Sequence, residues 1–243
     1  MLDMCLAPAC QDTAPHIVIL GVTPEVVQLS WPRSAILRAF DISADMIARV
    51  WQPNSRTQSH VAQSRWQALP IESNSVDAVV GDGCLTALQG VAECKDVLSE
   101  VARVLKPAGS LVIRCFIRPT TTESLEEIVA DVAEKKIRHF GTLKWRLAMA
   151  LCHGDNATVR PKDISGTFNS LFPDRQTLHY ATDWPLETIG TIDSYDGMEG
   201  YFTFMTRTQL EDTISPFFRI KTIKQGGYEL SERCPTIAFT RLS

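Results

Sequence analysis

A chain of 243 residues, 44% of them hydrophobic, is long enough to bury one substantial core as a single domain. Its formal charge of −4, with Lys and Arg scattered rather than striped, argues against a nucleic-acid groove, and no apolar run approaches the roughly 20 residues that span a bilayer. Seven cysteines without a CxxC pair, with Cys94 and Cys115 at expected core positions, point to reduced thiols in a cytoplasmic setting rather than to disulfides or zinc.

In chain order, the first fifteen residues hold two prolines, Asp3 and no Lys or Arg, which reads as a loose leader and a poor signal peptide. Residues 16–20 read as a strand, followed by Gly21-Val22-Thr23-Pro24-Glu25. Pro24 has the right φ for a first helical position, the Thr23 hydroxyl can cap, and Glu25 suits the positive helix end. A second strand over 34–40 ends in Asp41-Ile42-Ser43-Ala44-Asp45-Met46, with a helix over 43–51 and a polar loop over 53–60. A third strand is expected within 61–69, which leads to Trp66-Gln67-Ala68-Leu69-Pro70. The run 76–80 is apolar, rich in β-branched residues, and ends in Gly81-Asp82-Gly83: a buried strand delivering a carboxylate to a tight turn. Cys94, Val97, Leu98, Val101, Val104 and Leu105 recur at helical spacing. Lys106-Pro107-Ala108-Gly109 is expected to stop that helix, and 110–117 reads as a fifth strand, completing a parallel βαβ unit.

Further on, helices are expected over 122–140, 141–151, 162–172, 174–181, 186–192 and 206–214, and strands over 218–224 and 236–241. Strand, glycine turn and helix start is the usual setting for a nucleotide-like ligand. In that setting the Asp41 carboxylate either accepts hydrogen bonds from vicinal ribose hydroxyls or merely precedes a helix capped by Ser43. Trp66 either stacks on a purine or packs on the sheet edge. Asp82 either meets a ligand, which Gly81 and Gly83 would allow to approach closely, or closes its own turn. Cys84 lacks a basic neighbour in sequence and reads as a small buried thiol. His153, His179 and Tyr180 are weak candidates for a general base, and Tyr195, Tyr201 and Phe202 either line an apolar pocket or pack the chain around them.

The stretch Ser99-Glu100-Val101-Ala102-Arg103-Val104-Leu105-Lys106-Pro107-Ala108-Gly109, with the strand on each side of it, resembles the second half of a class I S-adenosylmethionine-dependent methyltransferase. The resemblance implies an α/β, Rossmann-like, doubly wound seven-stranded sheet with an antiparallel last strand pair. It covers about 16–118 and 203–241, within a single domain over 1–243. Residues 119–202 are then a helical insertion between the fifth and sixth strands, and the expected lid and substrate-binding element. The family's first turn carries an acidic residue and three glycines. Here Ile19 holds the acidic position, only Gly21 survives of the glycines, and Thr23 and Glu25 stand for the other two.

The resemblance further implies S-adenosylmethionine as cofactor, contacted by Gly21, Val22, Thr23, Asp41, Ile42, Met46, Trp66, Gln67, Gly81, Asp82 and Gly83. Asp82 is the candidate catalytic residue, orienting the acceptor or holding the cofactor's ammonium group. The expected partner is a small-molecule acceptor methylated at oxygen or nitrogen, with no nucleic acid and no membrane, and an oligomer is left open. The eroded glycine turn favours one rival, a protein that binds the cofactor without catalysis. An aminopropyltransferase is a second, and a nicotinamide dehydrogenase is disfavoured because no GxGxxG surrounds Gly21.

Overall fold

The computed structural model describes residues 14–152 and 154–242. The expectations placed on His153 and on the first thirteen residues, Cys5 and Cys10 included, lie outside them. The strands are β1 (His16–Leu20), β2 (Ile36–Asp41), β3 (Gln58–Gln63), β4 (Val76–Asp82), β5 (Leu105–Arg114), β6 (Thr158–Val159), β7 (Phe202–Thr203), β8 (Phe218–Lys224) and β9 (Thr236–Arg241). Seven of them form one sheet in the order β3-β2-β1-β4-β5-β9-β8. Pairing is parallel from β3 to β5 and antiparallel from β5 through β9 to β8. This is the doubly wound sheet with a reversed last pair that the resemblance implied.

Side-chain alternation along the strands divides the core in two. Val18, Leu20, Val79, Leu111, Ile113 and Phe239 face a helix, α3 (Val91–Val104), through Cys94, Val97, Leu98 and Val101. Ile17, Ile19, Ala78, Val80 and Val112 face the other side, beneath Val26, Val27 and Trp31. Period-two burial of this kind fixes the register, because a slip of one residue would turn every apolar side chain to the wrong face. The helix α1 (Pro24–Val27) has four residues, and α2 (Ala44–Val50) buries none of its side chains.

Several boundaries differ from the sequence reading. The strand expected within 61–69 lies earlier, at β3, because this edge strand is wet on both faces and has no alternating pattern to reveal it. Lys106-Pro107-Ala108-Gly109 does not form the helix stop. Helix α3 ends at Val104, and the four residues loop out between Leu105 and Ser110 while the strand continues. There Ala108, not the glycine, takes the left-handed φ of 63°. At Gly109 a Cβ would lie 2.9 Å from the Lys106 carbonyl oxygen, so glycine is needed for close approach.

The helix expected over 122–140 is shorter, α4 (Leu125–Ala133), and the one expected over 141–151 is α5 (Phe140–Leu151). Lys135, at φ 55°, leaves the helical region, and a Ser124–Glu127 capping box starts α4. Helices α6 (Pro161–Leu171), α7 (Arg175–Thr182), α8 (Leu186–Gly190) and α9 (Arg207–Ile214) follow close to expectation.

Residues between β5 and β7 pack into the same core as α3, through Ile128, Phe140, Leu143, Leu147 and Phe168. An ion-pair network stiffens this region. Arg146 bonds both oxygens of Glu123 and, at 2.7 Å, Asp131, while Arg233 from the β8–β9 loop reaches Glu123 at 3.1 Å. Burial works to raise the Glu123 pKa, but Arg146 and Arg233 outweigh it and hold the carboxyl below its usual range. No helix among the described residues is long and apolar enough to cross a membrane.

Because the folded pKa of Glu123 is depressed, its stabilisation is present above the unfolded carboxyl pKa and is lost as pH falls through the folded value. Glu123→Gln should therefore cost about 3 kcal/mol near neutrality, as for breaking a buried pair. The gap between wild type and variant in denaturant melts should shrink below about pH 4. A gap unchanged at low pH would show that the carboxylate charge is not what matters there.

Candidate cofactor and acceptor site

The parallel register aligns a row of residues along the carboxyl edge of the sheet. Leu20 pairs with Phe40 and with Gly81, so Gly21 follows between Asp41 and Asp82. Asp82 pairs with Arg114, Arg114 with Thr236, and Thr236 with Lys224. Five strands thus bring four charged side chains and one glycine to a single edge, the edge at which open α/β sheets bind ligands.

At the β2 end of the row the geometry fits a nucleoside. Gly21 adopts φ 97°, and a Cβ there would point at Trp66, Asp41 Oδ2 and the Thr23 hydroxyl, at 3.8, 3.9 and 3.9 Å. The three side chains therefore converge on a space that glycine keeps open. Asp41 Oδ1 accepts the Ser43 N–H at 2.8 Å, so one oxygen starts the helix, and the other faces the Gly21 space. Trp66 is fixed by its indole N–H, which donates to the Phe40 carbonyl at 2.6 Å. Just after the β2 tip, Ile42 and Met46 are 57% and 45% exposed. An aromatic ring and a carboxylate around an open glycine turn suit a purine and its ribose.

Other residues behave differently from the sequence reading. The Thr23 hydroxyl makes no cap bond to α1. The Gln67 amide donates to Glu93, which turns it toward the start of α3. Val22 is buried. Gly81 and Gly83 leave no room for a side chain, since a Cβ would come within 2.6 Å of Cys84 Sγ and 2.7 Å of Phe116 respectively; both glycines serve packing within the chain. Cys84 is the buried thiol expected, its pKa pushed up by burial to about 12. His179 is occupied through Nδ1 with the Trp184 carbonyl at 2.7 Å, Tyr180 is exposed on the surface, and Tyr195 packs on Phe202.

Asp82 stands at the strand tip as expected, but it is not a free carboxylate. Arg114 Nε donates to its Oδ1 at 2.5 Å and Nη2 to its Oδ2 at 2.7 Å. The Phe116 and Tyr228 rings lie 5.5 and 5.7 Å from the guanidinium, and the Tyr228 hydroxyl donates to the Cys234 carbonyl. Burial works against the charge of Arg114, and the Asp82 carboxylate outweighs it and holds the guanidinium above its usual pKa. Nothing local in the sequence marks this bidentate pair, because its partners are 32 residues apart.

Two cavities meet at Arg114. One, of about 250 Å³, lies between α5 and the β8–β9 loop and is lined by Phe116, His139, Trp145, Tyr228 and Leu230. Glu229 closes it by accepting the Arg138 and His139 N–H groups and the Thr142 hydroxyl at 2.8–3.0 Å. The second, of about 360 Å³, lies between α1 and the end of β8.

Comparison with known proteins agrees with this arrangement. Residues 21–113 match the family described as a methyltransferase domain. No curated protein matches the chain. Among solved structures, an S-adenosylmethionine-dependent methyltransferase from Methanosarcina mazei superposes with a TM-score of 0.55 at 16% identity, over 98% of each chain. The N-methyltransferase NodS of Bradyrhizobium japonicum, solved with S-adenosylhomocysteine, gives 0.52 at 10% identity, over 95% of this chain and 80% of that one. A Pyrococcus horikoshii protein gives 0.52 at 15% identity, over 95% and 83%. At these identities the structural likeness is one of fold. The domain match and the strand order thus give residues 21–113 as a methyltransferase domain within a Rossmann-like methyltransferase fold.

If the Asp82–Arg114 pair organises the strand tips, Asp82→Asn and Arg114→Gln should each destabilise the fold by about 1.5–3 kcal/mol, with a coupling energy of at least about 1 kcal/mol in the double variant. Strictly additive losses would mean that the two side chains act independently.

Proposed function

We propose that the chain transfers a methyl group to a small molecule at nitrogen or oxygen, with the cofactor lying along Asp41, Gly21 and Asp82. The observation that carries this reading is the second Asp41 oxygen, without a hydrogen-bond partner among the described residues and facing a space bounded by Gly21, Trp66 and Thr23. Asp41 would hold the ribose hydroxyls, and Trp66 with Ile42 and Met46 would hold the adenine. The cofactor supplies an electrophilic methyl group when bound.

The chain's part in the reaction is to position the nucleophile and exclude water, with a base needed only if the nucleophile arrives protonated. In this reading Asp82 acts through Arg114 as a positioning residue rather than as the base. The helical segment 119–202 serves as the lid. Its attachment supports that role: the Thr203 hydroxyl accepts the Gly90 N–H and donates to the Leu88 carbonyl at the start of α3, and Gln89 accepts the Tyr201 N–H at 3.0 Å.

One observation favours a second reading, cofactor binding without catalysis. Glu25 stands where the family has its third glycine, and the carboxylate at the β4 tip is already paired. Calorimetry with S-adenosylhomocysteine, run beside a labelled-methyl transfer assay on a panel of amines and phenols, separates the two. The proposal expects binding and transfer, and expects Asp41→Ala to weaken binding by at least about 1.5 kcal/mol, roughly tenfold, with the fold intact. Tight binding without transfer to any acceptor would favour the second reading. An unchanged dissociation constant in Asp41→Ala would place the cofactor elsewhere.

A further inference from the structure

The cavity between α1 and the end of β8 is charged in an unusual way. Glu25, Asp82, Arg114, Lys224 and Tyr228 are among its lining residues, and its volume is about 360 Å³. Asp82 and Arg114 neutralise each other. The side chains of Glu25 and Lys224 make no hydrogen bond or ion pair with any described residue. A solvated glutamate or lysine on a surface is ordinary by itself. Here, however, one of each sign lines the same cavity, at its α1 and β8 ends, with a fixed and neutral ion pair between them.

The row along the sheet edge gives the cavity its place in the reaction. The cofactor's footprint runs from Asp41 over Gly21 to Asp82, so the next space along the row lies over β5, β9 and β8. Four strand intervals separate Gly21, which leads into α1, from Lys224, roughly 19 Å between backbones, and the Glu25 and Lys224 side chains reaching in from both ends shorten the gap. That span suits a small molecule charged at both ends better than a compact α-amino acid. A carboxylate at the near end favours an amine, since attack by nitrogen leaves the product nitrogen positively charged.

We propose that this cavity binds the methyl acceptor, and that the acceptor is a dipolar small molecule with an amine at the Glu25 end and a carboxylate or similar oxyanion at the Lys224 end. The proposal rests on the methyltransferase reading above and narrows it to nitrogen. The test is calorimetric titration of the full chain, saturated with S-adenosylhomocysteine, with two matched pairs: 6-aminohexanoate against hexylamine, and 4-(aminomethyl)benzoate against benzylamine. Wild type should bind the carboxylate member of each pair roughly fivefold tighter, the scale of one exposed charge pair.

Lys224→Gln should abolish that preference while leaving the affinity for S-adenosylhomocysteine within about twofold, whereas Glu25→Gln should weaken both members of each pair alike. Equal binding within the pairs, no binding of any of the four amines, or a preference that survives Lys224→Gln would overturn the proposal. Failure to bind S-adenosylhomocysteine at all would be a different result. It would overturn the methyltransferase reading itself, and this inference with it.

Discussion

The parallel register of β2, β1, β4 and β5 is the constraint on which the rest depends. It is set in the interior, where Ile17, Ile19, Val79, Val80, Leu111 and Val112 alternate between two buried faces and tolerate no slip. Its consequence appears at the edge, where the same pairing delivers Asp41, Gly21, Asp82 and Arg114 to one line. Residues placed by the ends of packed strands are held more firmly than residues on loops, which suits a site that must align two reactants.

Along that line the charges differ in how far they are already satisfied. Asp41 gives one oxygen to a helix start and keeps the other. Asp82 gives both to Arg114. Held bidentate, with the Phe116 and Tyr228 rings 5.5 and 5.7 Å from the guanidinium, the ion pair forms a fixed wall at the strand tips. The Asp82–Arg114 pair therefore stands between the Asp41–Gly21 end of the edge and the two cavities that meet at Arg114.

Much of this was legible in the sequence where a local pattern had a physical cause. Strands β8 and β9 fall at the bounds read in the sequence, and Ser43, Asp174 and Thr206 cap the helices they precede. Asp41 and Trp66 were singled out from the strand ends before them, and they meet at Gly21. What was not legible depends on distant partners. Arg114 claims Asp82 from the neighbouring strand, Glu93 turns Gln67 away, and Glu229 closes a cavity from a hairpin loop nearly ninety residues beyond the helix it caps. Strand β3 escaped because an edge strand with two wet faces carries no periodic signal, and the Lys106–Gly109 loop because it is a bulge within β5, with the pairing to β4 resuming at Ser110.

The glycine turn is where sequence and fold pull hardest against each other. Helix α1 is a single turn, its first position is a proline without an N–H, and its second is a carboxylate, so the turn offers a cofactor less than the family's usual three glycines do. The account answers that binding rests on Asp41, Trp66 and the Gly21 space instead. A crystal structure of the protein with S-adenosylhomocysteine tests that answer most directly. The account predicts a ribose hydroxyl within hydrogen-bond distance of Asp41 Oδ2 and the adenine ring against Trp66, with the Asp82–Arg114 pair intact. A nucleoside bound away from Asp41, or bound there only after Arg114 has left Asp82, would contradict it.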